Sequence, residues 1–204
     1  MKTSATGRAF IEAFEGKILH TYDDGTGVLT IGYGHTDAAG PPPVRSGQKI
    51  TEAEADAILS DDLGKVERNV ERSIKVPMTQ AQFDALVSFD FNTGSLAKSS
   101  IDDKINAGNP SAAMATLLQY DHAGGKQMAG LTRRRNAEKL MFTGMIKQAM
   151  MLAQAQMPTP ENPMPQAPHK PLPSPPLPSI KPPALQPSLI QRIIAFLASI
   201  LRRH

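Results

Sequence analysis

The chain reads Phe14-Glu15-Gly16 and then Tyr22-Asp23-Asp24-Gly25-Thr26-Gly27-Val28-Leu29-Thr30-Ile31-Gly32-Tyr33-Gly34-His35-Thr36, and this stretch decides the fold. Ahead of it, Ala9, Phe10, Ala13 and Phe14 recur at helical spacing. They predict a helix from Ser4 to about Phe14, with Glu15 at its C-terminal end beside Gly16. Beyond it, Tyr22, Val28, Thr30, Ile31 and Tyr33 are strand formers, while Asp24-Gly25 and Thr26-Gly27 are turn chemistry. Residues 17 to 36 therefore read as a small hairpin sheet. Eight residues separate Glu15 from Asp24, and five separate Asp24 from Thr30. A helix end leading into a Gly-rich hairpin can hold two carboxylates apart, which suits cleavage of a glycosidic bond: one gives a proton and the other steers water. A hydroxyl beside the second carboxylate can orient that water.

Each of these residues also has a plainer reading. A glutamate that ends a helix is by default solvated surface, whereas a general acid must keep its proton near neutral pH, which asks for desolvation by neighbours such as Phe14. Asp23 competes with Asp24, because Tyr-Asp-Asp-Gly is by itself an Asx turn; only spacing separates the two.

The remainder of the first 157 residues reads as helical. Ala38 to Gly47, with Pro41, Pro42 and Pro43, is a loop. Thr51-x-x-Glu54 is a capping box for a helix to about Ile74, and Thr79-x-x-Gln82 caps another through Phe91. Shorter helices are expected over Ser100 to Ala107 and Pro110 to Tyr120, with a last one capped by Thr132 and running to about Gln156. Thirteen of the 18 prolines lie between Met157 and Ser188, which predicts a polyproline-like tether over 158–187. Residues 188–204 sort into an amphipathic helix: Ile193, Phe196, Leu197 and Ile200 share the apolar face, and Arg192, Arg202 and Arg203 the polar one.

Composition narrows the function classes. The 204 residues suffice for one domain with a full core plus a tail. With no cysteine there is no disulfide or thiolate metal site, and the five histidines have no metal spacing, so neither metal nor other cofactor is expected. The net charge of +3 divides into −1 over residues 1–157 and +4 beyond, so the basic character belongs to the tail. A near-neutral domain without aromatic platforms gives no nucleic-acid footprint, and Arg133, Arg134 and Arg135 read as a solvated face, one or two of them lining a glycan cleft. Glu12 and Glu15 interrupt any apolar signal-peptide core, so synthesis in the cytoplasm without a signal peptide is expected. The tail segment, about 24 Å long as a helix, is too short to span a bilayer core of about 30 Å. Its expected place is on an anionic membrane or lipopolysaccharide surface.

The Glu15-x8-Asp24-x5-Thr30 spacing, together with Ile31-Gly32-Tyr33-Gly34-His35-Thr36, resembles the phage-type lysozymes of glycoside hydrolase family 24. Phe89-Asp90-Phe91-Asn92-Thr93-Gly94 resembles that family's Phe-Asn-x-Gly helix end. Ala123-Gly124-Gly125-Lys126, Gly130-Leu131 and Arg133-Arg134-Arg135-Asn136-Ala137-Glu138 resemble its C-terminal motif. The likeness covers roughly residues 5 to 145. It implies an α+β lysozyme-like fold, a small antiparallel β lobe with a larger helical lobe. It further implies hydrolysis of the bond between N-acetylmuramic acid and N-acetylglucosamine in bacterial peptidoglycan, by a monomeric endolysin that reaches the wall through a holin-type lesion or from outside. Glu15 would be the general acid, Asp24 the carboxylate steering water and Thr30 its partner, with inversion at the anomeric carbon. Phe91, Asn92 and Thr93 would meet substrate, and His35 would pair with an acidic residue of the next helix, for which Asp62 is the candidate. The family often carries Trp where Tyr120 stands, and this chain has no Trp. The competing reading is a membrane-permeabilising protein whose domain binds peptidoglycan with little catalysis.

Overall fold

The computed structural model describes residues 1–23, 25 and 27–155. Asp24, the tether at 158–187 and the amphipathic segment 188–204, including Arg192, Ile193, Phe196, Leu197, Ile200, Arg202 and Arg203, lie outside the described residues.

Helix α1 (Ala5–Glu15) starts at Ser4, whose hydroxyl accepts the Gly7 N–H at 3.0 Å, and it buries Phe10, Ile11, Ala13 and Phe14. Gly16, at φ 69°, turns the chain out of the helix where a side chain would be strained. Three antiparallel strands follow in sequential order, β1 (Ile18–Asp23), β2 (Leu29–Gly32) and β3 (His35–Thr36). Tyr22 pairs with Thr30, Thr30 with Thr36 and Ile31 with His35. The expected hairpin is thus the first part of a three-stranded sheet.

Both capping boxes form. Thr51 and Glu54 exchange side-chain and backbone hydrogen bonds at the start of α2 (Glu52–Ser73), and Thr79 and Gln82 do so at the start of α3 (Gln80–Thr93). Every residue of α3 from Phe83 to Asp90 is buried, because α1, α2 and the later helices surround it. Its buried polar groups are met in turn. Asp84 accepts from Ser4 and Gln80, and Asp90 accepts the Asn69 amide at 2.6 Å and the Leu96 N–H at 2.9 Å. Helices α4 (Ile101–Asn106) and α5 (Pro110–Leu117) then close one side of the core.

The C-terminal part of the domain departs from expectation. A hairpin of β4 (His122–Ala123) and β5 (Lys126–Gln127) turns on Gly124 and Gly125, both at positive φ, as a two-residue hairpin loop requires. The single helix expected from Thr132 to about Gln156 is instead two, α6 (Ala129–Phe142) and α7 (Ile146–Gln154), broken at Gly144 with φ 82°. Thr132 lies inside α6 and caps nothing; its hydroxyl donates to Asp121 Oδ2 at 3.0 Å. Tyr120, where the family often has Trp, packs edge-on against Phe89 at 5.1 Å between ring centroids.

Candidate active site

Glu15 is the last residue of α1, and its side chain is only 5 % exposed. Arg134 of α6 reaches it from across the domain, with Nη1 2.6 Å from Glu15 Oε1. The same guanidinium lies over the Phe14 ring, 5.2 Å from its centroid. The apolar wall expected of Phe14 is therefore present, but it comes with a cation. Arg133 and Arg134 both lie against Phe14, and Arg135 lies over Phe89.

This corrects the reading of the three arginines as a solvated face: Arg134 and Arg135 are 4 % and 0 % exposed. The group that permits their burial is Glu138, fully buried one turn further along α6. Arg134 Nε lies 3.2 Å from Glu138 Oε1, and Arg135 Nη2 lies 2.9 Å from that oxygen. Arg135 Nε stands 2.8 Å from Oε2, close enough for an ion pair but poorly aligned for a hydrogen bond. Ser88 of α3 donates its hydroxyl to Oε1 at 2.8 Å, and its carbonyl accepts from Arg134 Nη2 at 3.2 Å. Burial opposes the charge on Arg134, but Glu15 and Glu138 outweigh it and hold the guanidinium above its ordinary value. Burial pushes Arg135 down to about 10, with Glu138 the main opposing influence, which leaves it charged at neutral pH.

The central strand β2 carries Thr30, and the β1–β2 turn lies beside it. Thr30 is fully buried on β2, its hydroxyl 3.3 Å from the Val28 carbonyl. Asp23 Oδ1 accepts the N–H of Gly25 at 2.7 Å and of Gly27 at 3.0 Å, so the Asx turn belongs to Asp23. Gly25 and Gly27 both sit at φ 85°. Asn92, in the last turn of α3, accepts from Arg135 Nη2 at 2.9 Å. Thr93 donates to the Phe89 carbonyl, and Phe91 packs partly buried on the core. The arginine network thus joins Glu15 to Asn92.

His35 and Asp62 form a separate cluster. His35 Nδ1 lies 2.6 Å from Asp62 Oδ2, and Nε2 lies 2.8 Å from the Pro42 carbonyl. Lys65 Nζ meets Asp62 Oδ1 at 2.9 Å and also the Ala39 carbonyl. Burial disfavours the imidazolium, but Asp62 and the Pro42 carbonyl, both acceptors, outweigh burial and Lys65 and hold His35 above its ordinary value. An open hollow of about 610 Å³ is lined, among the described residues, by Gln127, Ala129, Thr132, Arg133, Asn136 and Leu152, and neither Glu15 nor Thr30 is one of them. Among the described residues no cluster of three or more potential ligands could hold a metal ion.

Sequence reasoning missed the partnership of Arg134, Arg135 and Glu138. Residues 134, 137, 138, 141 and 142 all face the core at helical spacing, a signal present in the sequence.

A family model described as "Phage lysozyme" matches residues 12–138. The endolysin of Acyrthosiphon pisum secondary endosymbiont phage 1 is 37 % identical over 148 residues, 70 % of this chain and 98 % of the relative. Among solved structures, an endolysin from Escherichia coli O157:H7 phage FAHEc1 has a TM-score of 0.63 at 36 % identity, covering 70 % of this chain and 93 % of that one. A mutant of P22 lysozyme has a TM-score of 0.62 at 33 % identity, covering 70 % and 99 %.

Proposed function

Since the chain belongs to the phage lysozyme family, we propose that it hydrolyses the β-1,4 bond between N-acetylmuramic acid and N-acetylglucosamine in peptidoglycan, with Glu15 as acid. Asp24 steers the attacking water, Thr30 is its partner, and the anomeric carbon is inverted. Inversion calls for carboxyl groups roughly 6.5 to 9.5 Å apart, with room for water between them. The observation that supports the reading is the place of Glu15, a side chain 5 % exposed at a helix end beside Phe14; the Arg134 contact supports its position, not its protonation. The use of Asp23 in its own turn favours Asp24 over it as the second carboxylate. Phe91, Asn92 and Thr93 meet the glycan, and His35 with Asp62 ties the sheet to α2.

The test is turbidity loss and reducing-sugar release from outer-membrane-stripped peptidoglycan. Glu15→Gln should lose on the order of 10² to 10⁴ in rate, the usual worth of a positioned acid. Undiminished cleavage by that variant would overturn the assignment of the acid.

The reading extends to residues 188–204 on sequence grounds. Their apolar face and Arg192, Arg202 and Arg203 suit an anionic membrane or lipopolysaccharide, each cation contributing about 1 kcal/mol near such a surface. The enzyme acts on the cell wall as a monomer, reached after holin-type release or from outside. No helix among the described residues is long and apolar enough to cross a membrane. Removing residues 158–204 should preserve cleavage of purified peptidoglycan and weaken killing of intact Gram-negative cells; equal killing by both forms would sink the membrane role. If Glu15→Gln in the full chain killed as well as the unmodified protein, permeabilisation would be the principal activity.

A further inference from the structure

Glu138 is a fully buried carboxylate that the proposed reaction does not itself use, although its network ends on residues that the reaction does use. Buried ion pairs roughly break even against well-packed apolar side chains, so stability alone gives little reason for a glutamate on the core face of α6. Its contacts are directional. Oε1 takes Ser88 Oγ, Arg134 Nε and Arg135 Nη2, and Oε2 faces Arg135 Nε. The far side of Arg134 reaches Glu15, and Arg135 reaches Asn92. We propose that Glu138 is a positioning residue for catalysis, fixing Arg134 so that it sets the place of the Glu15 carboxyl, and fixing Arg135 so that it sets Asn92.

The inference rests on the reading of Glu15 as the general acid. The cluster sets two carboxyl groups, Glu15 and Glu138, against two guanidiniums, Arg134 and Arg135. Arg134 and Arg135 are adjacent like charges, and Glu138 is the group that bridges them. Without it the Arg134 guanidinium loses the partner on its Nε and is held on that side only by Ser88, whose carbonyl accepts from Nη2 at 3.2 Å, so its hold on Glu15 loosens. The two cations would then face Glu15 with one counter-charge fewer.

Glu138→Gln in the full chain is the test, with kcat, KM and the pH profile of kcat measured on soluble peptidoglycan strands beside Glu138→Asp and Glu15→Gln. The expected result is a folded protein whose kcat falls by roughly 10- to 100-fold, the scale of a misplaced catalytic group. The alkaline limb of its kcat profile should move to lower pH, because the charge opposing the arginines is gone. KM should rise through Asn92, and Glu138→Asp, which keeps the charge, should recover the position of that limb. A folded Glu138→Gln with unchanged kcat and unchanged profile overturns the inference. If the variant does not fold, Ser88→Ala decides, since it removes the hydroxyl that donates to Glu138 Oε1 at 2.8 Å and lies 3.5 Å from Arg134 Nη2, leaving the backbone carbonyl in place: a fall in kcat supports the inference and an unchanged kcat overturns it. Glu15→Gln separates the two levels. If it cleaves normally the reading of the acid has failed, and if it is inactive while Glu138→Gln is normal only the positioning role has failed.

Discussion

Asp62→Asn should uncouple the sheet from α2 in a way that depends on pH. His35 on β3 is 3 % exposed, with Nε2 committed to the Pro42 carbonyl and Nδ1 2.6 Å from Asp62. Carbonyl and carboxylate are both acceptors, so the arrangement is best satisfied by an imidazolium that donates twice. Removing one member of a buried ion pair costs about 3 to 5 kcal/mol in the extreme, while a hydrogen bond to a charged group is worth about 1.5 to 3 kcal/mol. Asparagine keeps the shape and one hydrogen-bonding group, and the Lys65 arm is 39 % exposed and adds little. The expected loss is therefore about 2 kcal/mol, or about 4 to 8 °C in Tm.

The folded value of His35 lies above its ordinary value of about 6.5, so the histidine's contribution is complete below that value and is lost as pH rises through the folded value. Urea unfolding of the unmodified chain and of Asp62→Asn should differ most near about pH 6 and less near about pH 9. The titration of His35, followed by NMR, should fall toward its ordinary value in the variant. An equal gap in stability at both pH values, or a His35 titration that ignores Asp62→Asn, would refute the reasoning.

Two further outcomes test the frame of the site. A Cβ at Gly7 would stand 2.4 Å from Asp84 Cγ, so Gly7→Ala should destabilise by about 1 to 3 kcal/mol through overpacking, more than the roughly 1 kcal/mol that helix propensity returns; a variant as stable as the unmodified chain in urea would show that Asp84 yields freely. Asp23→Ala removes the acceptor of the Gly25 and Gly27 N–H groups on an exposed turn, so thermal stability should change by less than about 0.5 kcal/mol while kcat falls; unchanged kcat would mean that the turn does not place its neighbour.

The sequence and the structure agree where one local rule acts alone. Ser4, Thr51 and Thr79 start their helices because each hydroxyl meets a backbone N–H within one turn, a relation contained in four consecutive residues. The strands around Thr30 follow from β-branched and aromatic residues between glycines. The reading failed at Thr132, where a residue with cap chemistry found a better partner in Asp121, eleven positions back along the chain. It also joined α6 to α7, because apolar periodicity resumes beyond Gly144 and hid a helix stop of the same kind as Gly16, both glycines at positive φ.

The candidate site divides along the same line. Glu15 and Thr30 are legible because a helix end and a hairpin are local structures. The grip of Arg134 on Glu15 spans 119 positions and no pattern in the chain announces it. What could have been read is that Arg134 and Glu138 occupy the same stripe of α6 as Ala137, Met141 and Phe142. Charged residues in that stripe would break the core unless they cancel, and Arg134, Arg135 and Glu138 leave one positive charge over. That surplus calls for a polar partner from elsewhere in the fold, and the Glu15 carboxyl lies 2.6 Å from Arg134. The same requirement accounts for Glu15 being held at the helix end rather than extended into solvent, so the burial of the arginines and the placement of the Glu15 carboxyl have one electrostatic cause.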